Sequence, residues 1–192
     1  MLFRSRLEAS LDVEVIRAVA PRATILVYEA PNTAVGELKT YDRILAGRAR
    51  IVSDSWGACD STRGLKPVDR ENHAKYRAAV EGRLAKLAAV GISLFVATGD
   101  AGAYDCQRSS FADHHLTVDF PADSPSVVAV GGTELSVRND GTYFREVGWQ
   151  DPLTNGGGGG GVNPVDPKPP WQAEIGRRRV GKECRSRWSP YH

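Results

Sequence analysis

Apolar and polar positions along the 192-residue chain switch between two rhythms. From Leu7 to Ala20, Leu7, Leu11, Val15 and Ala18 recur on one helical face, while Val13, Ile16 and Ala20 fall on another. Apolar groups nearly all round predict a buried helix, which Pro21 ends. Ala23–Tyr28 is a short continuous apolar run rich in β-preferring residues and predicts a buried strand. A helix is expected over Ala34–Leu45, a second strand over Ile51–Ser55, and a long helix over Val68–Val90 with Tyr76, Val80, Leu84 and Leu87 as its core stripe. Gly91 ends that helix. Ile92–Thr98 and Ser126–Val130 predict two further buried strands.

Strands alternating with helices predict an α/β fold, a parallel sheet with helices on both faces. Such sheets bind ligands beyond the carboxyl ends of their strands. Three segments are expected there: Trp56-Gly57, Gly99-Asp100-Ala101-Gly102 and Gly131-Gly132-Thr133. After Thr133 the pattern changes. Asn139-Asp140-Gly141 between two alternating segments predicts a hairpin. The six glycines 156–161 read as a flexible linker. Hydrophobic periodicity disappears beyond Gln172, so residues 1–172 are expected to form the domain and 173–192 a basic, disordered or frame-shifted tail.

Composition narrows the classes. Hydrophobic residues make up 41% and charged residues 25%, as in ordinary globular proteins. The net charge of +2 demands no nucleic-acid partner. No apolar stretch reaches the ~18 residues of a membrane span, and Met1–Arg6 lacks the apolar centre of a signal peptide. The three cysteines, Cys59, Cys106 and Cys184, form no CxxC pair, so zinc spacing is absent. An odd count permits one disulfide and one leftover thiol. Cys59 and Cys106 each lie a few residues past a predicted strand end, which makes them the expected pair. His114 and His115, near Asp113 and Asp119, read as a solvated loop rather than a metal site.

Two carboxylate features can carry chemistry. Glu8 and Asp12 are four apart on the first helix and so share a face. Paired acids with separated proton affinities can act as proton acceptor and supporter, although acids in a first helical turn also favour the helix dipole. Asp100 follows a buried strand between glycines. When protonated it can donate a hydrogen bond to a developing oxyanion, or it can serve as an ordinary turn aspartate. The glycine run lacks a following Gly-Lys-Ser/Thr, and no Gly-x-Gly-x-x-Gly follows the first strand, which disfavours a nucleotide binder.

In order along the chain, several segments resemble sedolisins, the serine-carboxyl peptidases that include kumamolisin-like enzymes. Glu8-Ala9-Ser10-Leu11-Asp12 resembles their catalytic Glu-x-x-x-Asp helix. Ser55-Trp56-Gly57 resembles their substrate-pairing strand edge, and Ala97-Thr98-Gly99-Asp100-Ala101-Gly102 resembles their Ala-x-Gly-Asp-Ser-Gly segment with Ala101 in place of serine. Asp119-Phe120-Pro121-Ala122 through Gly131-Gly132-Thr133 resembles the next block, and Trp149, the glycine run and Pro170-Trp171-Gln172 resemble the loop that closes it.

The resemblance implies a subtilisin-like fold, incomplete at the C-terminal side, and acid-acting endopeptidase activity on peptide or protein substrates. It implies Glu8 as general base, Asp12 as its orienting acid and Asp100 as the oxyanion acid, with Ser55, Trp56, Gly57 and Gly99 binding substrate. It implies an extracellular location, which the Cys59–Cys106 pair suits. The family nucleophile lies in a Gly-Thr-Ser segment, and no Gly-Thr-Ser occurs here. No cofactor is expected in this chain, because the family's calcium carboxylates belong to a later segment. A chain inactive alone is therefore expected, and a non-catalytic fragment that retains only peptide binding is the alternative.

Overall fold

The computed structural model describes residues 2–108, 114–154, 156–163 and 165–172. The chain forms two units, Met1–Val162 and Asn163–His192. In the second, Asn163 Oδ1 accepts the backbone N–H groups of Val165 and Asp166, and Pro170–Gln172 form a short 3-10 turn. The tail expected over 173–192, with Cys184, lies outside the described residues.

The first unit is built on three parallel strands, β1 (Ile51–Asp54), β3 (Ser93–Ala97) and β5 (Val128–Val130), in the order β1-β3-β5, while the short strands β2 (Ala58–Cys59) and β4 (Asp119–Phe120) pair antiparallel. Val52 pairs with Leu94 and Phe95 with Val128. Two helices, α2 (Ala34–Ala46) and α3 (Pro67–Ala89), share one core with this sheet. Thr33 caps α2 by accepting the Gly36 N–H at 3.1 Å. Pro67 opens α3, where its missing N–H costs nothing. Gly91, at φ 77°, closes it: its N–H reaches Ala88 O and the Ile92 N–H reaches Leu87 O, the double bond pattern of a glycine-terminated helix.

The predicted stripe of α3 packs as expected. Val80, Leu84 and Leu87 are buried against Tyr41, Ile44, Leu94 and Val96, with Tyr76 partly buried beside them. The opposite sheet face is open: Phe95 is 39% exposed and Val128 and Val130 are each 46% exposed. The hairpin predicted around Asn139-Asp140-Gly141 forms as β6 (Thr133–Val137) and β7 (Tyr143–Gly148).

Three expectations change. The first helix, α1 (Leu2–Val19), is not buried: Leu7 is 72% exposed and Leu11 53%. Its half-buried face carries Glu8, Ala9, Asp12, Val13 and Ile16 instead. A helix apolar nearly all round does not select its own inward face, so a specific contact of Asp12, described below, does so. Second, Ala23–Tyr28 forms no strand, and Leu26 and Val27 are exposed. An apolar run favours a strand but a ladder needs a neighbour about 4.8 Å away. Here a cleft of about 1830 Å³, lined by this segment, α1, α2 and the free edge of β1, intervenes.

Third, the glycine run is no linker. Gly156–Gly157 form β9, paired with β8 (Gln150–Asp151), and the run continues as a backbone ladder along Thr98–Gly102. The Gly157 N–H reaches Asp100 O at 2.8 Å, the Gly102 N–H reaches Gly157 O at 3.0 Å, and the Gly159 N–H reaches Gly99 O at 3.0 Å. A Cβ at Gly159 would collide with the Thr98 carbonyl, so glycine is there for close backbone approach, not flexibility.

Candidate active site

The carboxyl ends of β1 and β3 lie side by side, since Asp54 pairs with Val96. Ser55 follows β1 directly, and Gly99 and Asp100 follow β3 by two and three residues. The structure thus brings Ser55-Trp56-Gly57 and Gly99-Asp100 to the same end of the sheet. Asp12 joins them from α1: the Ser55 hydroxyl lies 2.9 Å from both Asp12 carboxylate oxygens and donates to them. Glu8 sits one turn earlier on the same half-buried helix face. Asp100 is exposed, and its backbone is held by the glycine ladder.

Gly99 has φ 92°, a conformation side chains rarely adopt, and a Cβ there would collide with Asp105 Oδ1. A Cβ on Gly57 would lie 2.5 Å from Asp119 Oδ2. Two buried acids, Asp105 and Asp119, therefore underlie the two glycines that border the site. Cys59 and Cys106 are joined in a disulfide, with Cα atoms 5.0 Å apart, which ties the segment after Trp56-Gly57 to the loop after Asp100. Thr98 completes the frame: its hydroxyl donates to Val130 O at 3.2 Å and to Gly159 O at 2.9 Å.

A second layer of acids lies behind Ser55. Asp54 Oδ1 accepts the Trp56 N–H at 3.0 Å, and Asp54 Oδ2 accepts the Tyr41 hydroxyl at 2.9 Å. The Tyr76 hydroxyl donates to Glu37 Oε2. Burial pushes the Asp54 carboxyl above the usual aspartate range; the bonds from Trp56 and Tyr41 oppose the rise, and the Asp12 charge adds to it. Burial likewise raises Glu37, opposed by the Tyr76 bond and assisted by the Asp54 charge. Tyr41 and Tyr76 are pushed upward too, first by burial. Asp54 and Glu37 take no motif role. The signal that marks Asp54 is a carboxylate in a strand, at a position whose sheet neighbour, Val96, is core; Glu37, on α2, carries no such signal.

His114 bonds Gln107, with Nδ1 2.8 Å from Nε2, and stacks edge-on against Tyr104. Among the described residues no group of three or more His, Cys, Asp or Glu could hold a metal ion, and no helix is long and apolar enough to cross a membrane.

An α/β sheet with an acid-bearing helix docked at its carboxyl end, matched over residues 7–162 by the profile of the Subtilase family, places the chain in that family. Within it, the chain is similar to proteins of the sedolisin family. It is 38% identical over 168 residues to kumamolisin of Bacillus sp. (strain MN-32), covering 86% of this chain and 28% of that protein. It is 30% identical to sedolisin of Pseudomonas sp. (strain 101), covering 79% of this chain and 26% of that protein. To tripeptidyl-peptidase 1 of Bos taurus it is 32% identical, covering 90% and 28%. Pseudomonas sedolisin, a serine-carboxyl proteinase solved with two molecules of pseudo-iodotyrostatin, superposes with a TM-score of 0.64 at 28% identity, over 77% of this chain and 40% of that one. The chain thus spans little more than a quarter of the length of these curated relatives.

Proposed function

We propose that this chain supplies the acid-bearing part of a serine-carboxyl endopeptidase site that cleaves peptides or proteins outside the cell at acid pH. The observation that carries the reading is the Asp12–Ser55 bond, which anchors the Glu8/Asp12 helix at the Ser-Trp-Gly edge. In this reading a serine hydroxyl attacks the scissile carbonyl carbon. Glu8 takes the hydroxyl proton, and Asp12 orients Glu8. As the new C–O bond forms, the carbonyl π pair moves onto oxygen, where a protonated Asp100 donates a hydrogen bond to it. When the C–N bond breaks, Glu8 returns its proton to the leaving amine. Ser55, Trp56, Gly57 and Gly99 present backbone to the extended substrate.

No Gly-Thr-Ser occurs in the sequence, so the nucleophile of this reaction lies outside these 192 residues. That favours a second reading for the chain by itself, peptide binding without hydrolysis. The test is hydrolysis of a quenched peptide from pH 3 to 8, by the chain alone and with a Gly-Thr-Ser-bearing sedolisin segment supplied in trans. Cleavage is expected only in the mixture and only at acid pH, falling by about 10²–10³ in Asp100→Ala and by about 10²–10⁴ in Glu8→Ala. Robust cleavage by the chain alone, lost in those variants, would overturn the assignment of an external nucleophile; Ser53 and Ser55 would be the first residues to replace.

A further inference from the structure

We propose that Asp54 is a positioning residue that fixes the Ser55-Trp56 edge and links its shape to the charge on Asp12. The proposal rests on reading that edge as the place where peptide binds. Neighbouring residues of one strand end hold opposite parts of the site. Ser55 turns its hydroxyl to Asp12 of α1, while Asp54 turns its carboxylate to the Tyr41 hydroxyl of α2 and to the Trp56 N–H two residues on. Asp54 therefore sets the backbone direction at Trp56, from which any extended peptide must take its register.

The groups that face Asp54 define how its state changes. From α1 comes Asp12, from α2 Tyr41 and Glu37, and from α3 Tyr76. Hydrogen bonds link Tyr41 with Asp54 and Tyr76 with Glu37, and Tyr41 acts on Glu37 as well. Arg48 and Arg50 line the same cleft, but among the described residues no lysine or arginine forms an ion pair with Asp54 or Glu37. Three carboxylates within one cleft, served by hydroxyl donors and one backbone N–H but no cation, cannot all hold charge cheaply. Charge on Asp12 is felt at Asp54, and protonation of Asp54 changes the acceptor that Trp56 bonds.

A small structural role for Asp54, merely closing a turn, would make none of the following opposite-signed shifts. In the ¹⁵N-labelled chain the Trp56 backbone amide should titrate between pH 3 and 8 with one midpoint. Asp12→Asn, which removes a neighbouring charge, should move that midpoint to lower pH. Tyr41→Phe, which removes a donor to the carboxylate, should move it to higher pH. Asp54→Asn keeps an acceptor for the Trp56 N–H and should abolish the titration while leaving the other amides in place.

Binding of a fluorescein-labelled octapeptide supplies the second measurement. Asp54→Asn should bind within about twofold of the unmodified chain at pH 4 and lose the dependence on pH between 4 and 7, whereas Asp54→Leu should weaken binding about tenfold, the equivalent of one lost hydrogen bond. A Trp56 amide that does not titrate, or a midpoint indifferent to both Asp12→Asn and Tyr41→Phe, overturns the proposal. Intact titration with no peptide binding at any pH overturns the substrate-edge reading instead, and leaves the hold of Asp54 on Trp56 standing.

Discussion

Two polar clusters, each with a member on α3 that contacts Phe120, are built on opposite principles. Arg77 of α3 is the hub of the first. Its guanidinium bonds Asp60, reaches Asp123 at 3.2 Å, lies 3.7 Å from Glu81, and covers the Phe120 ring at 4.6 Å. His73 adds a contact to Asp60 at 3.1 Å. Here negative charge is met by a cation in a planar, many-donor geometry. The second cluster, Asp12, Asp54 and Glu37, is met by the hydroxyls of Ser55, Tyr41 and Tyr76. Its members Asp54 and Glu37 retain protons more firmly than free acids do. The first cluster answers its acids with a cation; the second answers them with uncharged donors.

The largest test of this contrast is Arg77→Ala. It leaves Asp60 and Asp123 buried without their cation and should cost about 3–5 kcal/mol in urea unfolding at pH 7. A loss under about 1 kcal/mol would mean that the cluster is open to water.

The second cluster should show itself next, as a slope. A carboxyl whose folded proton affinity is raised contributes stability that is complete below its unfolded pKa and lost as pH rises through the folded value. Unfolding measured from pH 3 to 7 should therefore show stability falling with rising pH through this window, and the double variant Asp54→Asn/Glu37→Gln should flatten that fall. A slope unchanged by the double variant would assign it to other groups.

Ser55→Ala should act more modestly. It removes a hydroxyl donor from the half-buried Asp12 and should cost about 1–2 kcal/mol in urea unfolding at pH 7. At the foot of the scale stands Asp42→Ala. The Arg83–Asp42 pair between α2 and α3 is bidentate, at 2.9 and 3.0 Å, but exposed, and its removal should cost less than about 1 kcal/mol. If it costs as much as Arg77→Ala, burial is not what separates the clusters.

The α/β architecture was legible in the sequence wherever period and punctuation agreed. Val80, Leu84 and Leu87 at helical spacing, with Pro67 before and Gly91 after, leave one reading. The sedolisin-like segments Ser55-Trp56-Gly57 and Gly99-Asp100 lie at strand ends as the alternation requires. What could not be read was choice of partner. In α1 the spacing presents two apolar faces, and the face that turns inward is the one whose Asp12 bonds Ser55, 43 positions away. The run Ala23–Tyr28 has strand composition but no ladder, because composition carries no information about the gap to β1. Asp54 was hidden for a similar reason: its neighbours Tyr41 and Asp12 come from two different helices, and no spacing along the chain records that they meet.

The ladder of Gly157 and Gly159 against Thr98–Gly102 also separates length from composition. One glycine gained or lost ahead of Gly157 would leave the composition of the tract almost untouched. It would nonetheless slide Gly157 away from Asp100 and Gly102, and Gly159 away from Gly99 and Thr98. The spacing that leads into Gly157 is thus set by registration against Thr98–Gly102, and at Gly159 any Cβ would collide with the Thr98 carbonyl.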